Sequence, residues 1–337
     1  MKEKIKEFDS FIEDLTSCKD YVGLNICLFT KDEILYSKVQ GDAVFMRRKL
    51  FEDDMFCIGS NFKSIFCLAI TLSFSDMWNI TLKEIFGKTI HHKFYDVKLI
   101  DLANHRSGIV DSLCLREWRE LQTFSKNPLK TRKQVALKIL QQNPNYEPKT
   151  KFEYCNLNYG ILGAAIEKIT GKNYTFLIDK FISDPLNIEI IYGQQYGDGF
   201  AEGHNYFPNR SKKIFEPLRK GEFLDPIIEH PAGHAYMNVK SYIKYLQEHL
   251  RAHYNESDFI TEKAYDLILN SEKEYSLGWK VKGKSLSHSG SFFNQGTWCY
   301  LLLEENIGIA LCVNSNEELK PAIFKEKFLE LFKRPLI

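Results

Sequence analysis

The chain has 337 residues, of which 44% are hydrophobic and 26% charged, a composition that excludes a disordered chain and bounds the answer to one or two globular domains. Lysine and arginine total 45 against 44 acidic residues, so the net charge of +1 offers no bulk electrostatic footprint for nucleic acid. Basic runs at 210–213 and 280–284 read as solvated loops.

Residues 1–15 place Ile5, Phe8, Ile12 and Leu15 at helical spacing in a charged stretch, which predicts an amphipathic helix and not the apolar core of a signal peptide. The runs 23–29 and 33–39 flank a polar Lys31-Asp32 turn and predict a β-hairpin. Residues 64–74 are nearly apolar on all sides, as expected of a helix in the middle of a protein. Near the other end, 297–303 and 307–313 predict a second hairpin around Glu304-Glu305-Asn306. A last helix follows, with Ile323, Phe328, Leu329 and Phe332 for its apolar face. Strands at both ends with helical patterns between them suggest one sheet built from both termini, with residues 1–75 and 225–337 forming a discontinuous α/β sheet domain. Residues 76–224 would be a mainly helical region, with the active site between the two.

Eight cysteines (Cys18, Cys27, Cys57, Cys67, Cys114, Cys155, Cys299 and Cys312) form no C-x-x-C pair, which argues against structural zinc and for a reducing compartment. No apolar stretch is long enough to span a bilayer. A cytoplasmic location is the expectation, with export by a route that needs no signal peptide left open.

Three short motifs carry chemistry. Ser60-Asn61-Phe62-Lys63 fits S-x-x-K, and residues three apart on a helix share a face, so the amine reaches the hydroxyl. A desolvated lysine can act as the base that a serine nucleophile needs. Tyr154-Cys155-Asn156 fits Y-x-N, a phenol for proton relay and an amide to orient Lys63 and a substrate carbonyl. His288-Ser289-Gly290 fits [K/H]-[S/T]-G, where a strand offers its backbone to the substrate. Each is weak alone: Ser241–Lys244 repeats the first pattern and Tyr236–Asn238 the second. Taken singly, Tyr154 is open to being a packed core tyrosine, His288 a loop histidine and Lys63 an exposed helix residue. The second set lacks the apolar helix that follows Ser60, whereas the first set runs in order across most of the chain.

In that order, and with the segments 99–109 (ending His105-Arg106-Ser107-Gly108-Ile109), 152–163, Thr170-Gly171, Pro185-Leu186, Pro231-Ala232-Gly233 and 275–279, the sequence resembles the class C β-lactamases, D-alanyl-D-alanine carboxypeptidases and related esterases over about residues 20–320. The resemblance implies an α+β fold, an antiparallel sheet flanked by helices with an inserted all-helical region. It implies that Ser60 forms an acyl-enzyme, that Lys63 and Tyr154 shuttle protons, and that Asn156 holds the acyl side of the substrate. The backbone N–H groups of Ser60 and Ser291 would form the oxyanion hole, with His288, Ser289 and Gly290 lining the substrate strand. No metal or cofactor is implied.

Two departures bear on substrate. Many relatives carry lysine where His288 stands; an imidazole titrating near its ordinary value of about 6.5 favours carboxylate-bearing substrates mainly below that pH. Gly233-His234 replaces a usual pair of glycines, which would narrow or re-polarise the adjacent loop. The expected function is a serine hydrolase of a small-molecule ester, amide or peptide, with β-lactams or D-amino-acid peptides among the possible substrates and neutral esters preferred. An acyltransferase or cyclase using the same acyl-enzyme, or a non-catalytic binding relative, are the alternatives. Oligomeric state is not legible in the sequence.

Overall fold

The structure is a computed structural model describing residues 1–17, 21–111, 127–209, 212–218, 226–269, 274–315 and 321–333. Cys18, Cys114, Arg210 and Ser211 lie outside the described residues. In chain order, helix α1 (Lys2–Ser17) precedes strands β1 (Gly23–Phe29), β2 (Ile34–Val44), β3 (Arg48–Lys49) and β4 (Phe56–Cys57). Helices α2 (Phe62–Ser73), α3 (Pro128–Leu140) and α4 (Asn156–Thr170) follow, then strands β5 (Ile191–Tyr192), β6 (His204–Asn209) and β7 (Lys212–Pro217). The short helix α5 (His230–Gly233) leads to β8 (Ala235–Met237) and helix α6 (Val239–His253). The chain closes with β9 (Tyr275–Ser276), β10 (Trp279–Val281), β11 (Ser285–Phe292), β12 (Gln295–Leu302), β13 (Ile307–Val313) and helix α7 (Pro321–Phe332).

Both predicted hairpins form, and they meet. The main sheet has the order β3-β2-β1-β13-β12-β11-β10-β9, with β1 paired antiparallel to β13, so one sheet is indeed built from the two ends of the chain. Alternation along each central strand feeds two cores. Leu24, Ile26 and Leu28 of β1, with Trp298, Tyr300 and Leu302 of β12, pack on Phe8, Ile12, Phe324 and Phe328 of α1 and α7. Cys27 and Phe29, with Cys299 and Leu301, face the other way into the larger core that contains α2 and α6. Both faces being covered explains why β1, β12 and β13 are buried almost throughout.

Helix α2 is the interior helix that its sequence predicts, buried at every residue from Phe62 to Thr71. Six cysteines (Cys27, Cys57, Cys67, Cys155, Cys299 and Cys312) are buried and outside any disulfide. Burial pushes the thiols of Cys67, Cys299 and Cys312 up to about 12, so they pack as small apolar groups. Arg132 of α3 and Glu167 of α4 form a buried ion pair, and the Arg132 Nε also donates to the Ile227 carbonyl at 3.1 Å. That bond fixes the strand of chain leading into α5, which proves to border the site. Among the described residues, no helix is long and apolar enough to cross a membrane.

Candidate active site

Ser60 sits on a single 3-10 turn, Gly59–Asn61, between the end of β4 and the start of α2. The turn is pressed against β11. Gly59 has a φ of +50°, in the left-handed region, and a Cβ there would lie 2.7 Å from the Ser291 nitrogen. A Cβ on Gly290 would lie 2.1 Å from the Ile58 carbonyl and 2.7 Å from the Ser60 nitrogen. Glycine at both positions therefore lets the backbone of Gly290-Ser291 come into contact with that of Gly59-Ser60. Asn61 anchors the turn from below, its Nδ2 donating to the carbonyls of Ile58 and Thr297 at 3.0 Å each. In the sequence Asn61 only fills the S-x-x-K spacing.

Lys63 is fully buried one helical turn on, not the exposed helix residue of the alternative reading. Its Nζ lies 2.9 Å from the Ser60 Oγ, 2.9 Å from the Asn156 Oδ1 and 2.6 Å from the Ala232 carbonyl. The rings of Tyr154 and Tyr159 flank it, each centroid 5.2 Å away. Two of the three polar partners are oxygens that only accept, while the Ser60 hydroxyl accepts or donates. An ammonium fills the arrangement with three donated bonds. A neutral amine fills it with two, leaving its lone pair for the Ser60 proton. The heavy atoms need not move between the two states.

Tyr154 reaches Lys63 by its ring face. Its ring lies tilted against the buried His105 at 4.3 Å between centroids and the residue remains 37% exposed, and its hydroxyl bonds to no described residue. His105 accepts the Cys155 N–H at its Nδ1, 3.2 Å, and sits in a cage with Tyr159, Tyr275 and Phe152. Burial, with Lys63 next, holds its pKa well below the usual value, so a neutral ring backs Tyr154.

His288 corrects the sequence expectation. It is 2% exposed on β11, its Nδ1 donating to the Ser289 carbonyl at 2.8 Å and its Nε2 accepting from the Tyr275 hydroxyl at 3.0 Å. Burial first, then Lys63, pushes its pKa down to about 3. The imidazole is therefore neutral near pH 6.5 and supplies no titrating cation there. Ser289 and Ser291 are exposed on the same strand, with Gly290 buried between them.

The competing motifs have structural work instead. The Asn238 Oδ1 caps α6 by accepting the Ser241 N–H at 2.8 Å, Tyr236 is a buried β8 residue, and Lys244 donates to the Asn187 carbonyl. Gly233 packs on Gly59, and the following His234 is buried against Phe292 with 3.8 Å between ring centroids. The histidine thus sets an aromatic ring against the end of β11.

Three contributors went unread in the sequence. The Ala232 carbonyl is a backbone group, so no residue letter marks it. Asp111 holds the start of α4, accepting from the backbone N–H of Asn156 and Leu157 at 3.1 and 3.3 Å, an anion at a helix N-terminus. Glu229 stands just before α5; burial and then the Asp111 charge push its pKa up to about 7, against the opposing pull of Lys63 and Asn156.

With this geometry in view, comparison with known proteins places the fold. The beta-lactamase family profile matches residues 8–331. The chain belongs to the beta-lactamase family. Protein flp of Staphylococcus aureus strain COL is 22% identical over 340 residues, covering 94% of this chain and 64% of the relative. The chain thus spans under two thirds of that protein's length. Among solved structures, FmtA from Staphylococcus aureus superposes with a TM-score of 0.76 at 22% identity, covering 98% of this chain and 89% of FmtA. A D-amino acid amidase from Ochrobactrum anthropi SV3, solved with D-phenylalanine, gives 0.75 at 18% identity, covering 98% and 99%. At these identities the superpositions establish the α+β fold that the sequence predicts, an antiparallel sheet with flanking helices.

Proposed function

We propose that the chain is a serine hydrolase of an ester or amide that works through an acyl-enzyme on Ser60. One observation carries the reading: a buried amine 2.9 Å from a serine hydroxyl and held by two further acceptors, with that serine on a turn whose backbone is packed against that of Gly290-Ser291. Neutral Lys63 takes the Ser60 proton as Oγ attacks the acyl carbon. The oxyanion that forms is held by the N–H groups of Ser60 and Ser291, a kind of donor worth about 3 to 4 kcal/mol in hydrolases of this mechanism. Collapse expels the alcohol or amine, which leaves with a proton delivered through Lys63 and the partly exposed Tyr154 hydroxyl. Water then attacks the ester on Ser60 and releases the acid, with the same groups acting in reverse. Asn156 orients Lys63 and the acyl side of the substrate, and Ser289 to Ser291 offer the strand edge. Buried free thiols fit a reducing compartment such as the cytoplasm.

Substrate preference follows from His288. With its imidazole neutral and both nitrogens engaged, the strand presents no fixed cation for a substrate carboxylate. Neutral acyl esters are therefore preferred over cephalosporins. The test is kcat/KM for a p-nitrophenyl ester, D- and L-phenylalanine p-nitroanilide and a chromogenic cephalosporin between about pH 5 and 9. The ester is expected to be turned over fastest, with an ester-to-cephalosporin ratio that does not change through pH 6.5. Efficient cephalosporin turnover at pH 8, or a cephalosporin rate rising as pH falls through 6.5, contradicts the preference. Loss of no activity in Ser60→Ala contradicts the mechanism.

A further inference from the structure

The basic run at 280–284, expected to be a solvated loop, begins on a strand instead. Lys280 of β10 lies opposite Ser287 of β11, and Ser287 lies opposite Tyr300 of β12, so the three form one cross-strand row on one face of the sheet. That face is the one covered by α1 and α7: Tyr300 is buried, its ring 6.1 Å from that of Phe328. Burial falls along the row, from Tyr300 through a half-buried Ser287 to an exposed Lys280, as the helical cover runs out. Lys325, one turn before Phe328 on α7, leans over Tyr300 with its Nζ 5.3 Å from the ring centroid. The space left is a cleft of about 650 Å³, with Arg106 and Phe152 in its lining as well.

Four cationic side chains, Arg106, Lys280, Lys282 and Lys325, line this cleft against one carboxylate among the described residues, Glu274. The three lysines form no ion pair with a described residue. Like charges gathered around one concavity repel each other in the empty protein and focus their field on an incoming anion. The lining is also aromatic. Tyr275 and Tyr300 are buried, whereas Phe152 keeps 46% of its surface exposed and lies 5.6 Å from the Tyr275 ring, a surface on which a flat ligand can pack. The cleft adjoins the candidate active site through Tyr275, whose hydroxyl donates to His288, yet Ser60, Lys63, Tyr154 and Asn156 are not among its described lining residues.

We propose that this cleft is a second ligand site, for an aromatic dianion such as an organic phosphate, with the three lysines and Arg106 around the charged group and Phe152 against the ring. A singly charged ligand would leave most of the surplus positive charge uncompensated. The proposal does not rest on the chemistry of Ser60.

The experiment measures binding of 1-naphthyl phosphate to the whole protein by calorimetry at about pH 8, where a phosphate monoester is a dianion. Inorganic phosphate and 1-naphthol are measured beside it. The naphthyl phosphate is expected to bind at least about tenfold more tightly than either, since it alone engages both the cations and the ring surface, and to weaken as salt is raised. Replacing two cations together, by Lys280→Gln with Lys282→Gln, is expected to weaken it about tenfold. The melting temperature of that variant without ligand is expected to equal or exceed that of wild type, because only mutual repulsion has been removed. Phe152→Ala is expected to weaken the naphthyl phosphate while leaving inorganic phosphate unchanged. No saturable binding of 1-naphthyl phosphate at millimolar concentration, equal binding of 1-naphthol, or an affinity unchanged in the double lysine variant overturns the proposal. A double variant that melts below wild type would mark the lysines as structural and overturn it equally.

Discussion

Lys63→Ala is expected to lower kcat on a p-nitrophenyl ester by on the order of a thousandfold, because it removes the proposed base and return acid, the amine that Asn156 and Ala232 hydrogen-bond. Tyr154→Phe keeps the ring that packs against His105 and flanks Lys63, so it isolates the hydroxyl. Its loss is expected to be about a hundredfold. If the two residues pass the same proton, the double variant is little slower than Lys63→Ala alone. Fully multiplicative losses would mean that they serve different steps. A thermal melt separates the effect from folding. The phenol change leaves the packing intact, whereas the lysine change removes a buried polar group and orphans two acceptors.

The second large effect is expected from a single methyl group. Gly290→Ala places a Cβ 2.1 Å from the Ile58 carbonyl and 2.7 Å from the Ser60 nitrogen, so β11 or the nucleophile turn has to retreat. Either movement spreads the Ser60 and Ser291 amides apart. A displacement of about 1 Å at a reacting centre costs about a hundredfold, and loss of one oxyanion donor costs about as much or more. The expectation is a fall in ester kcat/KM of at least about a hundredfold, carried by kcat, with a lowered melting temperature. Wild-type kcat in this variant would show that the two amides do not act together.

What the sequence disclosed and what it withheld divide along physical lines. The two hairpins and the buried helix were legible because period-2 alternation and an all-apolar helix are local signals. Strands β4, β5 and β8 are two or three residues long, held by pairing with distant partners such as Phe56 with Met237, and carry no such period. Ser60 and Lys63 were readable by spacing, yet Ser241 and Lys244 share it; the surrounding apolar helix, not the motif, separates them. The Ala232 carbonyl and the Ser291 amide belong to the backbone, which every residue possesses. Glu229 stands three residues before Ala232 with no pattern around it. The protonation of His288 depended on burial and then on Lys63, set by the pairing of β9, β10 and β11 and by the packing of α2 near them, which no local reading contains. Tyr154 was read as a hydroxyl, and the fold uses its ring as well.

Covalent labelling tests the central claim most directly. Treating the whole protein with a fluorophosphonate probe, followed by intact mass and peptide mapping, is expected to give one adduct, on the peptide containing Ser60, and none in Ser60→Ala. Lys63→Ala is expected to slow the labelling strongly without moving it. An adduct on Ser241, or labelling undiminished in Ser60→Ala, would contradict the assignment of Ser60 as the nucleophile.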